Sequence, residues 1–393
     1  MPSAYVTNLL AKFDLTYKDV PVLDPSDPNF EEEAEKLLQT SLFIDGGAGY
    51  GKSFLMKKLM EQADRLGLTY VILAPTNQAA ENLEGVTIHH FARVTEHVDI
   101  IFLDEPGFLG EDEFRFLLQL KTKWPDTRHI YAGEFHQLGP VNDELLQINK
   151  TLRGDYMNSA PMTYLVDKRR MELKTYRRGD AQLGLICSEL RQAVIDRTVD
   201  KVDPLLFPIR VETDVNISYV HRIRKKVIAE RMARFVQTKR YSVHVPANPK
   251  DDKSQDVDLT EGMPLIAHRG WEEQNLKNSS RGTIVSVTSF TGRGPSQTDE
   301  LVIALDRTGE LVEMQTSDFH RFWRPAFCIT VHQSQCTTID QPYTIFGWNH
   351  EHMSACALEE MGGEGGPRGR YVAVSRGTKM EHVQIALRYG WDR

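Results

Sequence analysis

The stretch GGAGYGKSF, Gly46 to Phe54, constrains this chain more than any other part of it. It sets four glycines and a lysine between a short apolar run, SLFIDG, and the segment FLMKKLMEQADRL, in which Leu55, Leu59 and Ala63 recur at helical spacing. Strand, glycine loop and helix in that order are the context that the pattern GxxxxGK[ST] requires, and Gly46, Gly51, Lys52 and Ser53 satisfy it. A loop without β-carbons can turn its backbone N–H groups inward around phosphate oxygens, and the following helix adds the positive end of its dipole. Gly46, Gly47, Ala48, Gly49, Tyr50, Gly51, Lys52 and Ser53 are therefore expected to hold a nucleotide phosphate. Lys52 would meet the β and γ phosphates and the Ser53 hydroxyl would ligate Mg²⁺, which makes ATP and Mg²⁺ the expected cofactors.

A phosphate cradle alone says nucleotide; the next signals say hydrolysis. VDIIFLDEP, Val98 to Pro106, is an apolar strand ending in two carboxylates, and in an open α/β sheet the ligand lies at the carboxyl ends of the strands. Asp104 is placed to hold Mg²⁺ and Glu105 to polarise the attacking water. A third strand in RHIYAGEFHQLGPV brings Gln137 to the same end, within reach of a γ phosphate.

Composition narrows the class. At 393 residues the chain is too long for one ordinary core, so two or three domains are expected. With 40% hydrophobic and 26% charged residues it reads as a globular protein. The start lacks a basic cluster ahead of an apolar core, and no run of about 18 apolar residues occurs, so an intracellular location, cytoplasmic or nuclear, is expected. The four cysteines form no CxxC pair, which fits a reduced compartment. His350, His352 and Cys356 could be ligands, but their spacing matches no common zinc pattern and a polar loop is the better reading. The net charge, 47 − 55 = −8, argues against coating nucleic acid by bulk electrostatics. A local basic track remains in HRIRKKVIAERMARFVQTKR, His221 to Arg240, read as a helix whose apolar stripe is Val227, Ile228, Met232, Phe235 and Val236.

Taken in order, these pieces resemble the ATPase motifs of superfamily 1 helicases, most closely the 5′ to 3′ branch of the RecD, Dda and PIF (petite integration frequency) type. VILAPTNQAAENLEGVTIHHF resembles that branch's APT…A…L…TIH segment, GEFHQLGPV its GDxxQLPPV, AFCITVHQSQCTTID its A…TxHxxQGxxxD and YVAVSRGTK its YVALTRA. YLVDKRRM places Arg170 five residues after Leu165, as the family places an arginine after a strand leucine. The resemblance implies catalytic roles for Lys52, Glu105, Gln137, Arg170 and Arg376, the last at the arginine-finger position. It also implies a single-strand path along Thr76, Asn77, His89, Thr330, His332 and Gln335. An arginine finger contributes about 10³ to 10⁵ in rate, and two arginines reaching the phosphate from a second domain would make hydrolysis depend on cleft closure.

The implied fold is α/β: two RecA-like (P-loop NTPase) parallel-sheet domains with a small SH3-like β insertion in the second. Residues 1–155 would form the first domain, residues 156–240 and 320–393 the second, and residues 241–319, with short β-rich runs such as TIVSVTSF and ELVIAL, the insertion. PANPKDDKSQD and GGEGGPRGR read as loops, the second running into a last strand. Phe91, Phe108 and Trp323 are candidates for base stacking, with core packing as the alternative for each.

The sequence departs from the family pattern in three places. Glu31 to Glu33 stand where a glutamine would read adenine. About six residues separate HHF from VDIIFLDE, where the family inserts a subdomain bearing a strand-separating pin. Cys336 replaces the glycine of HxxQG, at a position where φ > 0 would strain a side chain. The leading expectation is an ATP-dependent 5′ to 3′ translocase and helicase on single-stranded DNA. The alternatives are an RNA helicase or RNA-stimulated NTPase, and a nucleotide-gated single-strand-binding subunit that does not unwind. A small-molecule kinase would share the glycine loop but has no need of HQSQ or AVSR.

Overall fold

A computed structural model describes residues 15–139, 156–288, 299–349 and 366–387. The metal-ligand candidates His350, His352 and Cys356 lie outside them. The chain divides into two compact units, one comprising Met1–Val202 with Glu351–Met380, the other Asp203–His350 with Glu381–Arg393.

The first unit alternates strand and helix: β1 (Lys18–Asp19), α1 (Phe30–Leu38), β2 (Leu42–Gly46), α2 (Lys52–Arg65), β3 (Tyr70–Ala74), α3 (Asn77–Asn82), β4 (Val86–Thr87), α4 (Ile88–Val94), β5 (Ile100–Asp104), α5 (Glu111–Lys123), β6 (Arg128–Gly133), α6 (Ala160–Leu165), β7 (Arg169–Leu173) and α7 (Ala181–Asp196). Its seven strands form one sheet in the order β1-β7-β2-β6-β5-β3-β4, and every pairing is parallel. Parallel strands are buried on both faces, which is why LFIDG and IIFLD read as continuous apolar runs. The pleat divides them. Leu42, Ile44, Ile100 and Phe102 join α1 and α2 in one core, while Phe43, Ile101 and Leu103 join α5 in another.

Three sequence expectations are corrected here. Residues 156–202, expected in the second domain, belong to the first unit, because β7 pairs with β2 in the register Phe43↔Arg170 to Gly46↔Leu173. The expected last strand at YVAV is part of a helix, α11 (Gly366–Val374), and this helix too lies in the first unit, packed on α7. Phe91 is a core residue of the same unit rather than an exposed platform.

The second unit contains β8 (Val215–Ser218), α8 (His221–Gln237), β9 (Val243–Val245), β10 (Val257–Leu259), β11 (Pro264–Ala267), β12 (Arg281–Thr288), β13 (Glu300–Leu305), β14 (Leu311–Gln315), α9 (Phe319–Phe322), β15 (Trp323–Pro325), β16 (Ile329–Thr330), α10 (Val331–Ser334), β17 (Tyr343–Phe346) and β18 (Val383–Ala386). A parallel sheet in the order β16-β8-β17-β18 is joined by an antiparallel one in the order β14-β13-β12-β11-β15, with β9 and β10 a separate pair. The antiparallel sheet runs past the expected end at residue 319, since β15 pairs with β11. It shares its core with α8 through Ile223, Val227, Ile228 and Met232, and Trp323 is fully buried there rather than free to stack on a base. Arg224 is also buried, its Nη2 donating to the Lys253 carbonyl at 2.9 Å, so the basic face of α8 is less solvated than its sequence suggests.

Among the described residues no helix is long and apolar enough to cross a membrane. On β6 of the first sheet, His129 is wholly buried with Nδ1 2.7 Å from the Tyr131 hydroxyl; burial, and then Lys121 nearby, push its imidazole down to about 3. The fold keeps it neutral where the unfolded chain would protonate it. Its contribution to stability is therefore complete above about pH 6.5 and is lost as pH falls towards 3. His129→Gln keeps a polar partner for Tyr131 but does not titrate. Denaturant melts should show the variant losing roughly 1–3 kcal/mol less than wild type between pH 6.5 and 4; parallel pH profiles would refute this.

Candidate active site

The site is built at the carboxyl ends of β2, β5 and β6, where three turns meet. After β2 the chain passes through Gly49 and Gly51 at φ 81° and 91° before α2 begins at Lys52. A β-carbon on Gly49 would come within 2.7 Å of Arg178 Cβ and 2.8 Å of the Tyr176 ring, so glycine is required by backbone and neighbours alike. The Lys52 ammonium is buried and donates to the carbonyls of Gly46 at 2.8 Å and Gly47 at 3.1 Å, within the loop it is expected to serve. Ser53 follows in the first turn of α2.

Asp104 ends β5 and is buried; its Oδ1 has no hydrogen-bond partner among the described residues. Burial, then Glu105 beside it, push its carboxyl up to about 8. A buried carboxylate with an orphaned oxygen at the end of a strand beside a phosphate loop fits a divalent cation, with Ser53 as the other candidate ligand. Glu105 takes the left-handed conformation, φ 56° and ψ 54°, and its buried Oε2 is also unpartnered. Its carboxyl is raised by burial, against the pull of Lys52 and Arg376. A non-glycine residue held at positive φ next to an apolar strand is strain of the kind that marks functional positions.

After β6, Gln137 is buried with its Nε2 donating to Glu134 Oε2 at 3.1 Å. Its Oε1 accepts from Arg376 Nη2 at 3.3 Å. Arg376, just past α11, is 2% exposed and its Nε donates to the Val372 carbonyl at 2.9 Å. Lys52, Ser53, Asp104, Glu105, Gln137 and Arg376 thus converge in one unit.

Arg170 does not join them. It sits on β7 and not on a second domain, with its guanidinium ion-paired to Asp45 at 3.1 Å and Glu172 at 3.2 Å. It offsets part of the cost of burying Asp45, whose carboxyl burial raises and Arg170, then Arg191, pull back. Arg170→Ala is expected to cost about 3 kcal/mol of stability, as removing one partner of a buried pair does, while turnover per folded molecule changes less than fivefold. Melts and active-site-normalised phosphate release together check this; a hundredfold loss of turnover would refute it.

The sequence reading missed Tyr176, Arg177, Arg178, Glu134, Arg191 and Tyr371, which lie around the loop. Arg178, on the segment that follows β7, donates to the Ser375 carbonyl at 2.7 Å and lies beside Gly49. The same segment is tied to the loop by Arg177 N donating to the Gly49 carbonyl at 2.8 Å, and Tyr50 meets Tyr176 edge-on. Glu134 is buried among Gln137, Arg191, whose Nε donates at 2.7 Å, and Tyr371, whose hydroxyl donates at 2.8 Å. Burial would raise its carboxyl, but Arg191 and Lys52 outweigh this and hold it below the usual range. The tyrosine in YVAVSR and the double arginine in TYRRGD were the available signals.

The expected strand-path residues fall in both units. In the first, Thr76 caps α3 by accepting from Ala79 N at 3.2 Å, Asn77 opens that helix, and His89 is exposed on α4 with Nε2 3.5 Å from Glu113. In the second, Thr330 caps α10 by accepting from Gln333 N, while His332 packs against Tyr219 with ring centroids 5.9 Å apart and Gln335 is buried. Burial pushes the His332 imidazole down to about 4. Cys336 does adopt the positive φ, 62°, that its neighbourhood implied. Phe108 is half-buried in the turn after Glu105.

A family model described as an AAA domain matches residues 32–153. The ATP-dependent DNA helicase Pif1 of Bdellovibrio bacteriovorus is 24% identical over 404 residues, covering 90% of this chain and 84% of that protein. The ATP-dependent DNA helicase PIF1 of Trypanosoma brucei brucei is 28% identical over 153 residues, and there the chain spans 16% of the relative's length. Among solved structures, Pif1 helicase from Candida albicans superposes with a TM-score of 0.61 at 16% identity, covering 92% of this chain and 94% of that one. Bacteroides Pif1 in complex with ADP-AlF3 and ssDNA gives 0.60 at 16% identity, covering 93% and 92%. The fold is therefore the one these Pif1 structures share, two RecA-like α/β domains, and the chain is similar along most of its length to the Bdellovibrio Pif1 helicase.

Proposed function

We propose that the chain is an ATP-dependent DNA helicase and translocase that moves 5′ to 3′ on single-stranded DNA. The observation that carries this reading is the convergence of Lys52, Asp104, Glu105, Gln137 and Arg376 around one glycine loop, within a motif order that continues to Thr330 and His332 in the second unit. Lys52 and the loop amides bind the phosphates; Ser53 and Asp104 would hold Mg²⁺, which when bound would supply neutralisation of the phosphate charge. Glu105 orients and deprotonates water. Gln137 links the γ-phosphate position to Arg376, which stabilises the charge that develops there. Arg178, beside Gly49 and facing Arg376, is a second cation for that role, in place of Arg170. Phosphate contacts and stacking to single-stranded DNA are assigned to Thr76, Asn77 and His89 in the first unit and to Thr330, His332 and Gln335 in the second, without base readout.

One observation favours the reading in which hydrolysis gates binding or movement without strand separation. Only residues 95–99 join α4 to β5, which leaves no room for an inserted pin there. The test is phosphate release from ATP with and without single-stranded DNA or RNA of matched sequence, Lys52→Ala serving as blank, followed by displacement from substrates tailed at either end. DNA stimulation with displacement from a 5′ tail is expected. Displacement from a 3′ tail alone would refute the polarity, and stimulation by RNA alone would move the RNA reading to the front.

A further inference from the structure

Helix α11 brings a phenol to the phosphate loop. The Tyr371 hydroxyl accepts from Ala48 N at 2.7 Å and donates to Glu134 Oε2 at 2.8 Å, and all three residues are buried, Tyr371 to 1% exposure. The helix is fixed around it. Arg368 Nη1 donates to the carbonyls of Phe135 and Gln137, both at 3.0 Å, and Arg370 Nη1 pairs with Asp200 at 2.9 Å. The hydroxyl oxygen thus occupies a loop amide in the manner of an anion oxygen in such a cradle. Beyond it stands a carboxylate that Arg191 and Lys52 keep ionised.

We propose that Tyr371 is a positioning residue that competes with nucleotide phosphate for the Ala48 amide, so that phosphate binding releases the hydroxyl and hands its position on to Arg376 through α11. The inference rests on the reading of Gly46–Ser53 as a phosphate loop. Two features favour it over a plain structural bond. First, the bond joins residues 323 apart in sequence, so it forms only when α11 is seated on the loop. Second, the phenol's other partner, Glu134, repels phosphate by its charge, and Tyr371 screens it together with Arg191, Lys52 and Gln137. Phosphate and the phenol–amide bond exclude one another, and nucleotide affinity includes the loss of that bond. The same loss removes one of the bonds that seat the helix, and Arg376 follows just past its C-terminal end, five residues along from Tyr371.

The experiment is titration of magnesium ADP, followed by a ribose-linked fluorophore, into the full chain, with turnover measured alongside. Tyr371→Phe keeps the ring and removes the competing oxygen. It should bind ADP about fivefold more tightly, the equivalent of one neutral hydrogen bond, while kcat falls because release no longer drives α11. A merely structural tyrosine would lower the melting midpoint and leave ADP affinity unchanged or weaker, and that result overturns the proposal. Should Tyr371→Phe fail to fold, Glu134→Gln tests the same point by weakening the phenol's acceptor and removing the repulsion. It too should tighten ADP binding, and unchanged or weaker binding overturns the proposal. Wild type that shows no ADP binding sensitive to Lys52→Ala would instead sink the phosphate-loop reading, and the proposal with it.

Discussion

Arg376→Ala is expected to lower ATP turnover by about 10³-fold while changing nucleotide affinity far less, the signature of a charge felt mainly in the transition state. The guanidinium is 2% exposed, bonded to the Val372 carbonyl and to Gln137, and close enough to Glu105 to pull its carboxyl down. Low dielectric around it makes each of these interactions stronger than at a surface. Arg376→Lys should not restore turnover, because an ammonium on a flexible stem cannot bond Val372, Gln137 and an equatorial phosphate oxygen together. Both variants lose buried hydrogen bonds, so turnover must be referred to molecules that bind labelled ADP. A loss below tenfold in that population would remove Arg376 from the reaction and leave Arg178 as the cation to test.

How much of this was legible in the sequence depended on the reach of the signal. The glycine loop announced itself because its backbone angles demand residues without side chains, and β2 and β5 because a strand buried on both faces is apolar throughout. β7 was misplaced for the opposite reason. RRMEL carries three charges although it is a central strand, and it is tolerated there because Arg170 finds Asp45 and Glu172. Local composition could not show this. The helix over GPRGRYVAV was equally hidden: glycine and β-branched residues disfavour it, and long-range bonds from Arg368, Arg370 and Tyr371 override that preference. The Glu134 network joins residues 57 and 237 apart, so no window of sequence contains it. Motif spacing thus located the phosphate end of the site, while the groups that pack around it belong to tertiary structure.

The second large effect is expected at Glu105. Glu105→Gln should reduce kcat by about 10² to 10⁴ while ATP binding is kept or strengthened, since the amide retains the shape and loses only the proton acceptor. ATP would then persist on the enzyme, and single-stranded DNA binding measured with ATP should resemble that measured with a non-hydrolysable analogue. Turnover within tenfold of wild type would assign water activation to another group, Glu134 being a buried carboxylate whose charge acts on Glu105. Backbone strain supplies an independent check. Glu105 is held at φ 56°, where a side chain costs of order 1 kcal/mol that glycine does not incur. Glu105→Gly should therefore be at least as stable as Glu105→Gln and as inactive. Stability falling with activity in both variants would mean that the carboxylate holds the turn after β5 together; stability holding while activity is lost means that the strain is kept for the sake of the reaction.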